Sequence, residues 1–158
     1  MGFRHGAAAL AAVCLAATAG CQPAGGPAES GGAAPMRLEG TSWRLVEIRP
    51  MDDAQGTTRP DDPARYTLTF NDDGRVSARL DCNRGNGPWR HEPADAASGS
   101  LAIGPLATTK ALCPPPTLGD RLARDLGDAR SYLLRDGRLH LSLPADAGVL
   151  VWEPSEGS

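Results

Sequence analysis

Few residues in this 158-residue chain could do chemistry: four cysteines, three histidines and adjacent aspartates such as Asp61-Asp62 and Asp72-Asp73. Neighbouring carboxylates in an extended chain point to opposite sides, which suits solvated turns and not a proton-sharing acid–base pair. Cys82 and Cys113 lie too far apart for a Cys-x-x-Cys knuckle, and beyond the first twenty residues only His91 and His140 could complete a zinc site, so no metal is expected. The stretch Gly104 to Lys110 lacks the second glycine of a phosphate loop, and Ala111 stands where that loop needs a hydroxyl. Asn71 to Gly74 is no calcium loop, because Thr69 would hold the first ligand position and no Glu closes the frame. No Gly-x-Ser-x-Gly elbow occurs. His140 alternates with Leu139 and Leu141 and is expected to face solvent. These residue types predict a protein that is not an enzyme and carries no cofactor.

The elements that would position any site are short strands. Gly (19) and Pro (14) are abundant and aromatic residues make up only 4%, which favours many turns over long helices. Tyr66 to Phe70 alternates strictly, Asn71-Asp72-Asp73-Gly74 is turn chemistry, and Arg75 to Leu80 resumes the alternation, which predicts a hairpin. Asn83 to Pro88 is expected to be a Gly-rich turn before Trp89, and Leu101 to Ile103 a further short strand. Ser131 to Arg135 and Arg138 to Leu143 flank Asp136-Gly137, a preferred two-residue turn. Thr41 to Ile48 and Val149 to Glu153 open and close the set. Leu118, Leu122 and Leu126 recur at helical spacing, with Thr117 and Asp120 approximating a capping box and Gly127 available to end the helix. The expected fold is mainly β: a small antiparallel barrel or tightly curled sheet of about eight strands with one helix packed against it. A net charge of −3 gives no basic field for nucleic acid.

The N-terminus reads as an address. Arg4 and His5 precede an apolar run from Ala7 to Ala19, too short to span a bilayer and suited to a secretory signal. It ends at Thr18-Ala19-Gly20-Cys21, which resembles the bacterial lipobox, so Cys21 is expected to carry lipid and tether the protein to a membrane; an ordinary secreted protein cut near Ala19 is the alternative. Residues 21–37 form a Gly/Pro/Ala linker with nothing to bury, about 20 Å from end to end. With Cys14 removed in the 1–20 leader and Cys21 lipidated, Cys82 and Cys113 remain. In an oxidising envelope this even remainder suggests one disulfide, with two buried thiols as the alternative.

The domain at 38–154, followed by a short tail at 155–158, resembles the META domain, the fold of the HslJ family of bacterial envelope proteins. The resemblance rests on Gly40-Thr41-Ser42-Trp43, on Asp81-Cys82-Asn83, on Gly85 through Gly87 to Trp89, and on Ile103-Gly104-Pro105-Leu106-Ala107-Thr108-Thr109 leading to Leu112-Cys113. Ala111 and Leu112 depart conservatively from the Met and Ala common at those positions. That family is associated with heat-shock induction and novobiocin resistance and has no agreed enzymatic activity. Asn83, Thr108 and Thr109 suit backbone satisfaction near the cysteines, and Trp43, Trp89 and Trp152 suit core anchoring. The lipobox, the tether and this resemblance, with no catalytic groups beside them, together imply a lipid-anchored, non-catalytic protein supporting envelope integrity, stress or antibiotic tolerance through contact with an envelope protein. A small-ligand barrel module, or an inhibitor of a secreted enzyme probing with Asn83 to Pro88, are the alternatives.

Overall fold

The computed structural model describes residues 37–155 except 53, 55 and 146; the leader, Cys21, most of the linker and the end of the tail lie outside the described residues. Among the described residues nine strands form one antiparallel sheet: β1 (Thr41–Arg49), β2 (Tyr66–Phe70), β3 (Arg75–Leu80), β4 (Asn83–Pro93), β5 (Ser98–Ile103), β6 (Ala107–Thr108), β7 (Ser131–Arg135), β8 (Arg138–Ser142) and β9 (Val149–Pro154). Their order is β3-β2-β1-β9-β8-β7-β5-β4-β6, and an additional β3–β4 pairing closes eight of them into a barrel. Closure removes the sheet edges, and β6 hangs outside as a ninth strand on β4.

The two expected hairpins form where the alternation places them. Tyr66 pairs with Leu80 and Phe70 with Val76, so every second residue of β2 and β3 turns inward. In β7–β8 the turn residues Asp136 and Gly137 both have positive φ, 54° and 70°, the geometry that a two-residue antiparallel turn demands. A bulge between Leu45 and Glu47 shifts the β1–β9 register and adds the local twist that helps a strand curl.

The helix α1 (Gly119–Asp128) differs from expectation at both ends. Leu118 occupies the N-cap without a side-chain bond, while the Thr117 hydroxyl accepts from the Gly119 amide at 3.3 Å. Gly127 lies inside the helix, and Ala129 is the C-cap. Tertiary contacts override the caps: Leu122 and Leu126 are fully buried, and a Cβ on Gly119 would lie 2.7 Å from the Leu80 carbonyl. The Leu118 amide donates to the Tyr66 hydroxyl at 3.1 Å, which seats α1 where β2 begins and β3 ends.

The interior is filled by side chains. Trp152, Phe70, Leu45, Leu68, Leu139 and Leu150 have essentially no exposure, and Trp43 and Trp89 join the same core. Phe70 meets Trp89 edge-on at 4.6 Å between ring centroids, and Trp89, His91 and Tyr132 continue the series at 5.1 and 5.8 Å. Among the described residues, no helix is long and apolar enough to cross a membrane.

Candidate functional site

The segment expected to be a turn, Asn83 to Pro88, is instead the first half of β4, the longest strand. The chain reverses over Asp81-Cys82, so that Leu80 pairs with Asn83 and Arg75 with Pro88. Asp81 takes a φ of 68° at this reversal, and its carboxylate, 1% exposed, is paired with the Arg65 guanidinium. The glycines belong here because of contact and not because of turning. A Cβ on Gly87 would lie 2.8 Å from the Pro105 carbonyl oxygen, and one on Gly104 would lie 2.7 Å from Pro88 Cγ. Gly85 faces Leu80, Thr108 and Leu106 in the same close layer. This strand leaves no loop there to probe an enzyme's active site.

Asn83 joins β4 to the segment carrying β6. Its Oδ1 accepts from the Ala111 amide at 2.7 Å and from the Thr109 hydroxyl at 2.8 Å, and its Nδ2 donates to the Ala111 carbonyl at 2.9 Å. Thr109 completes the join: the Arg84 amide donates to its hydroxyl at 3.0 Å, and its own amide donates to the Arg84 carbonyl at 2.9 Å. The Cys82–Cys113 disulfide, with Cα atoms 5.7 Å apart, locks the far end, and Asn83 Nδ2 lies 3.3 Å from Cys113 Sγ. Thr108 pairs with Gly85 inside β6, and Pro105 sits exposed at the entry to it.

With β6 held in this way, the outer faces of β1 to β4 and β6 border an open groove of about 1030 Å³. Cross-strand registers define two rows along these outer faces. Ser42, Thr69, Ser77 and Asn86 make the first, running on to Ala107. They are linked: Ser42 and Thr69 hydroxyls lie 2.9 Å apart, Asn71 Nδ2 donates to Ser77 Oγ at 3.1 Å, and Arg75 Nε donates to Asn86 Oδ1 at 2.7 Å. The second row is Arg44, Thr67, Arg79 and Arg84. Arg44 is neutralised by Glu153 at 2.6 Å, outside the groove lining. Arg79 and Arg84 stand directly opposite each other with no carboxylate between them. Among the described residues Arg79 donates only to the backbone carbonyls of Asp81 and Ala64, both at 3.3 Å, and the Arg84 guanidinium has no partner.

The remaining candidates lie elsewhere. His91 Nε2 and Glu39 Oε1 are 2.8 Å apart, and Glu39 is held below the usual carboxylate range by its own backbone amide and by His91. His140 is half-buried and not fully exposed: it shares a shallow pocket with Arg49, Arg135 and Arg138, and burial followed by these arginines lowers its pKa. Trp43 Nε1 donates to the Thr41 hydroxyl at 2.7 Å within the core layer. Asp62 caps a short 3-10 turn at Pro63–Arg65, and Asp73 accepts from the Arg75 amide, so these aspartates order turns. Among the described residues no group of three His, Cys, Asp or Glu gathers as a metal cage. The Arg79–Arg84 pair was missed because its signal, two arginines flanking a two-residue reversal, exists only if Asn83 to Pro88 is a strand.

Known proteins share this architecture. The NMR structure of a protein from Burkholderia xenovorans superposes with a TM-score of 0.60 at 23% identity, covering 79% of this chain and 88% of that one. The crystal structure of a DUF4847 family protein from Bacteroides vulgatus gives 0.52 at 15% identity, covering 75% and 95%. At these identities the likeness is one of fold. No curated protein matches the chain. The META domain model matches residues 36–156, taking in the barrel, the helix and the whole disulfide-locked segment, and the chain belongs to the META domain family.

Proposed function

We propose that this META-domain protein is a non-catalytic, lipid-anchored component of the bacterial envelope that supports envelope integrity and tolerance of stress or antibiotics by contacting other envelope components. The observation that carries this is the Cys82–Cys113 disulfide, since such bonds persist in oxidising compartments and are rare in the cytosol. The Thr18-Ala19-Gly20-Cys21 sequence supports the anchor, because two or three acyl chains hold a protein stably at a bilayer. Leu112, 99% exposed next to the disulfide, supplies an apolar contact point on an otherwise polar rim.

Intact-mass measurement of protein extracted from the membrane fraction tests the reading. The expected species begins at Cys21, carries acyl chains and has no alkylatable thiol. Cys21→Ser is expected to move the protein into the soluble fraction. A mature protein with a bare N-terminus and two free thiols would overturn both anchor and compartment. A deletion strain with unchanged sensitivity to heat, novobiocin and detergent would overturn the protective role.

A further inference from the structure

Like charges directly opposite each other in a sheet are destabilising, and Arg79 faces Arg84 with nothing between them to offset the repulsion. A charge pair of this kind at the floor of a concave surface suits an oxyanion: the Arg84 guanidinium is a planar fork whose donors match a carboxylate, and Arg79, whose Nε and Nη1 donate to backbone carbonyls, keeps its Nη2 donors. The rest of the groove limits what carries that carboxylate. Its first row offers hydroxyls and amides that both donate and accept, from Ser42 across Thr69 and Ser77 to Asn86, and Thr67 and Thr108 add hydroxyls with no partner among the described residues. Four strands at the usual spacing make this floor about 15 Å long, the reach of a few sugar units. Among the described residues its apolar lining is the exposed methyl of Ala107 and the buried Phe70 and Ala78, too little to favour a lipid tail, and Asp72 supplies the one carboxylate at its rim.

We propose that this groove binds an acidic glycan, with a sugar carboxylate seated between Arg79 and Arg84 and the sugar hydroxyls along the Ser42–Thr69–Ser77–Asn86 row. The disulfide, Asn83 and Thr109 are positioning residues: they hold β6 as the wall against which the glycan lies. The inference stands on the groove and not on the lipid anchor, so binding by a soluble protein would keep it while the envelope reading failed.

The test is calorimetric titration of the full-length protein with an α-1,4-linked galacturonic acid trimer, with its methyl-esterified neutral form and with inorganic phosphate. The trimer is expected to bind saturably. The neutral ester and Arg84→Ala are each expected to weaken binding about tenfold or more, the loss of one charge-assisted contact. Arg84→Ala removes no hydrogen bond of that side chain, so its Tm is expected to rise slightly, and trimer is expected to raise the Tm of the variant by less than it raises that of the wild type. Equal trimer affinity in wild type and R84A, a lowered Tm in R84A, or phosphate binding as tightly as the trimer would each overturn the proposal. Failure of the trimer to bind saturably would do the same.

Discussion

The β3–β4–β6 side of the barrel and the β7–β8–β9 side are built by different physics. On the second side, Leu134 on β7, Leu139 and Leu141 on β8 and Leu150 on β9 stack inward, with β7 and β8 joined by a tight turn, and burial of apolar area holds them. On the first, the inward positions of β4 include Gly85 and Gly87, which have no side chain to bury, and the connecting segment from Gly104 to Cys113 carries a single two-residue strand. That side relies on a disulfide and on side-chain-to-backbone bonds from Asn83 and Thr109. A ladder of leucines needs only alternation. A wall standing off the barrel has no core of its own and must be pinned.

The difference can be measured by perturbing each side in turn. Replacing Cys82 and Cys113 together with Ser is expected to destabilise the fold by about 3.5 kcal/mol on the chain-entropy estimate, and hydrogen exchange should show β6 amides losing protection well before those of β7 and β8. Equal loss on both sides would mean the disulfide supports the whole barrel and not the wall. Leu141→Ala is expected to cost about 3 kcal/mol by denaturant melting while leaving β6 no more exposed relative to the rest. Asn83→Ala removes three well-formed bonds and should cost about 2 kcal/mol, with the loss again concentrated at residues 107–111.

The smallest effect is expected on the leucine side and depends on pH. His140 on β8 has its pKa lowered by burial first and then by Arg135, Arg49 and Arg138, with Asp136 opposing. A lowered histidine pKa means that the fold disfavours the proton. This contribution is therefore fully present above the ordinary histidine value of 6.5 and is lost as pH falls through the lower folded value. Tm measured from pH 7.5 downward should fall less for His140→Gln than for the wild type, and identical profiles would remove His140 from the account.

Much of the barrel was legible because its rules are local. Tyr66-Thr67-Leu68-Thr69-Phe70 can put its apolar residues on one face in only one way, and Asp136-Gly137 can turn in only a few. The cysteine pairing was accessible through counting once the leader was set aside. The helix was located but its ends were misjudged, because Thr117 and Gly127 are competent caps that lost to the packing of Gly119 against Leu80. Asn83 to Pro88 was misjudged for a related reason: glycine, asparagine and proline together signal a turn wherever solvent is the only neighbour.

From the chain alone, then, one could derive the mainly β class, both hairpins, the inward residues and the lone pair of downstream cysteines, since each follows from spacing within a few residues or from arithmetic. Only the tertiary structure decided that Asn83 to Pro88 is a strand, that β6 stands outside a closed barrel, and that Arg79 meets Arg84 across an open groove. Those outcomes depend on atoms far apart in sequence coming within 3 Å of each other, as Pro105 does with the space above Gly87 and Thr109 with Asn83. No local propensity encodes such an approach, because the energy that selects it belongs to the pair and not to either segment.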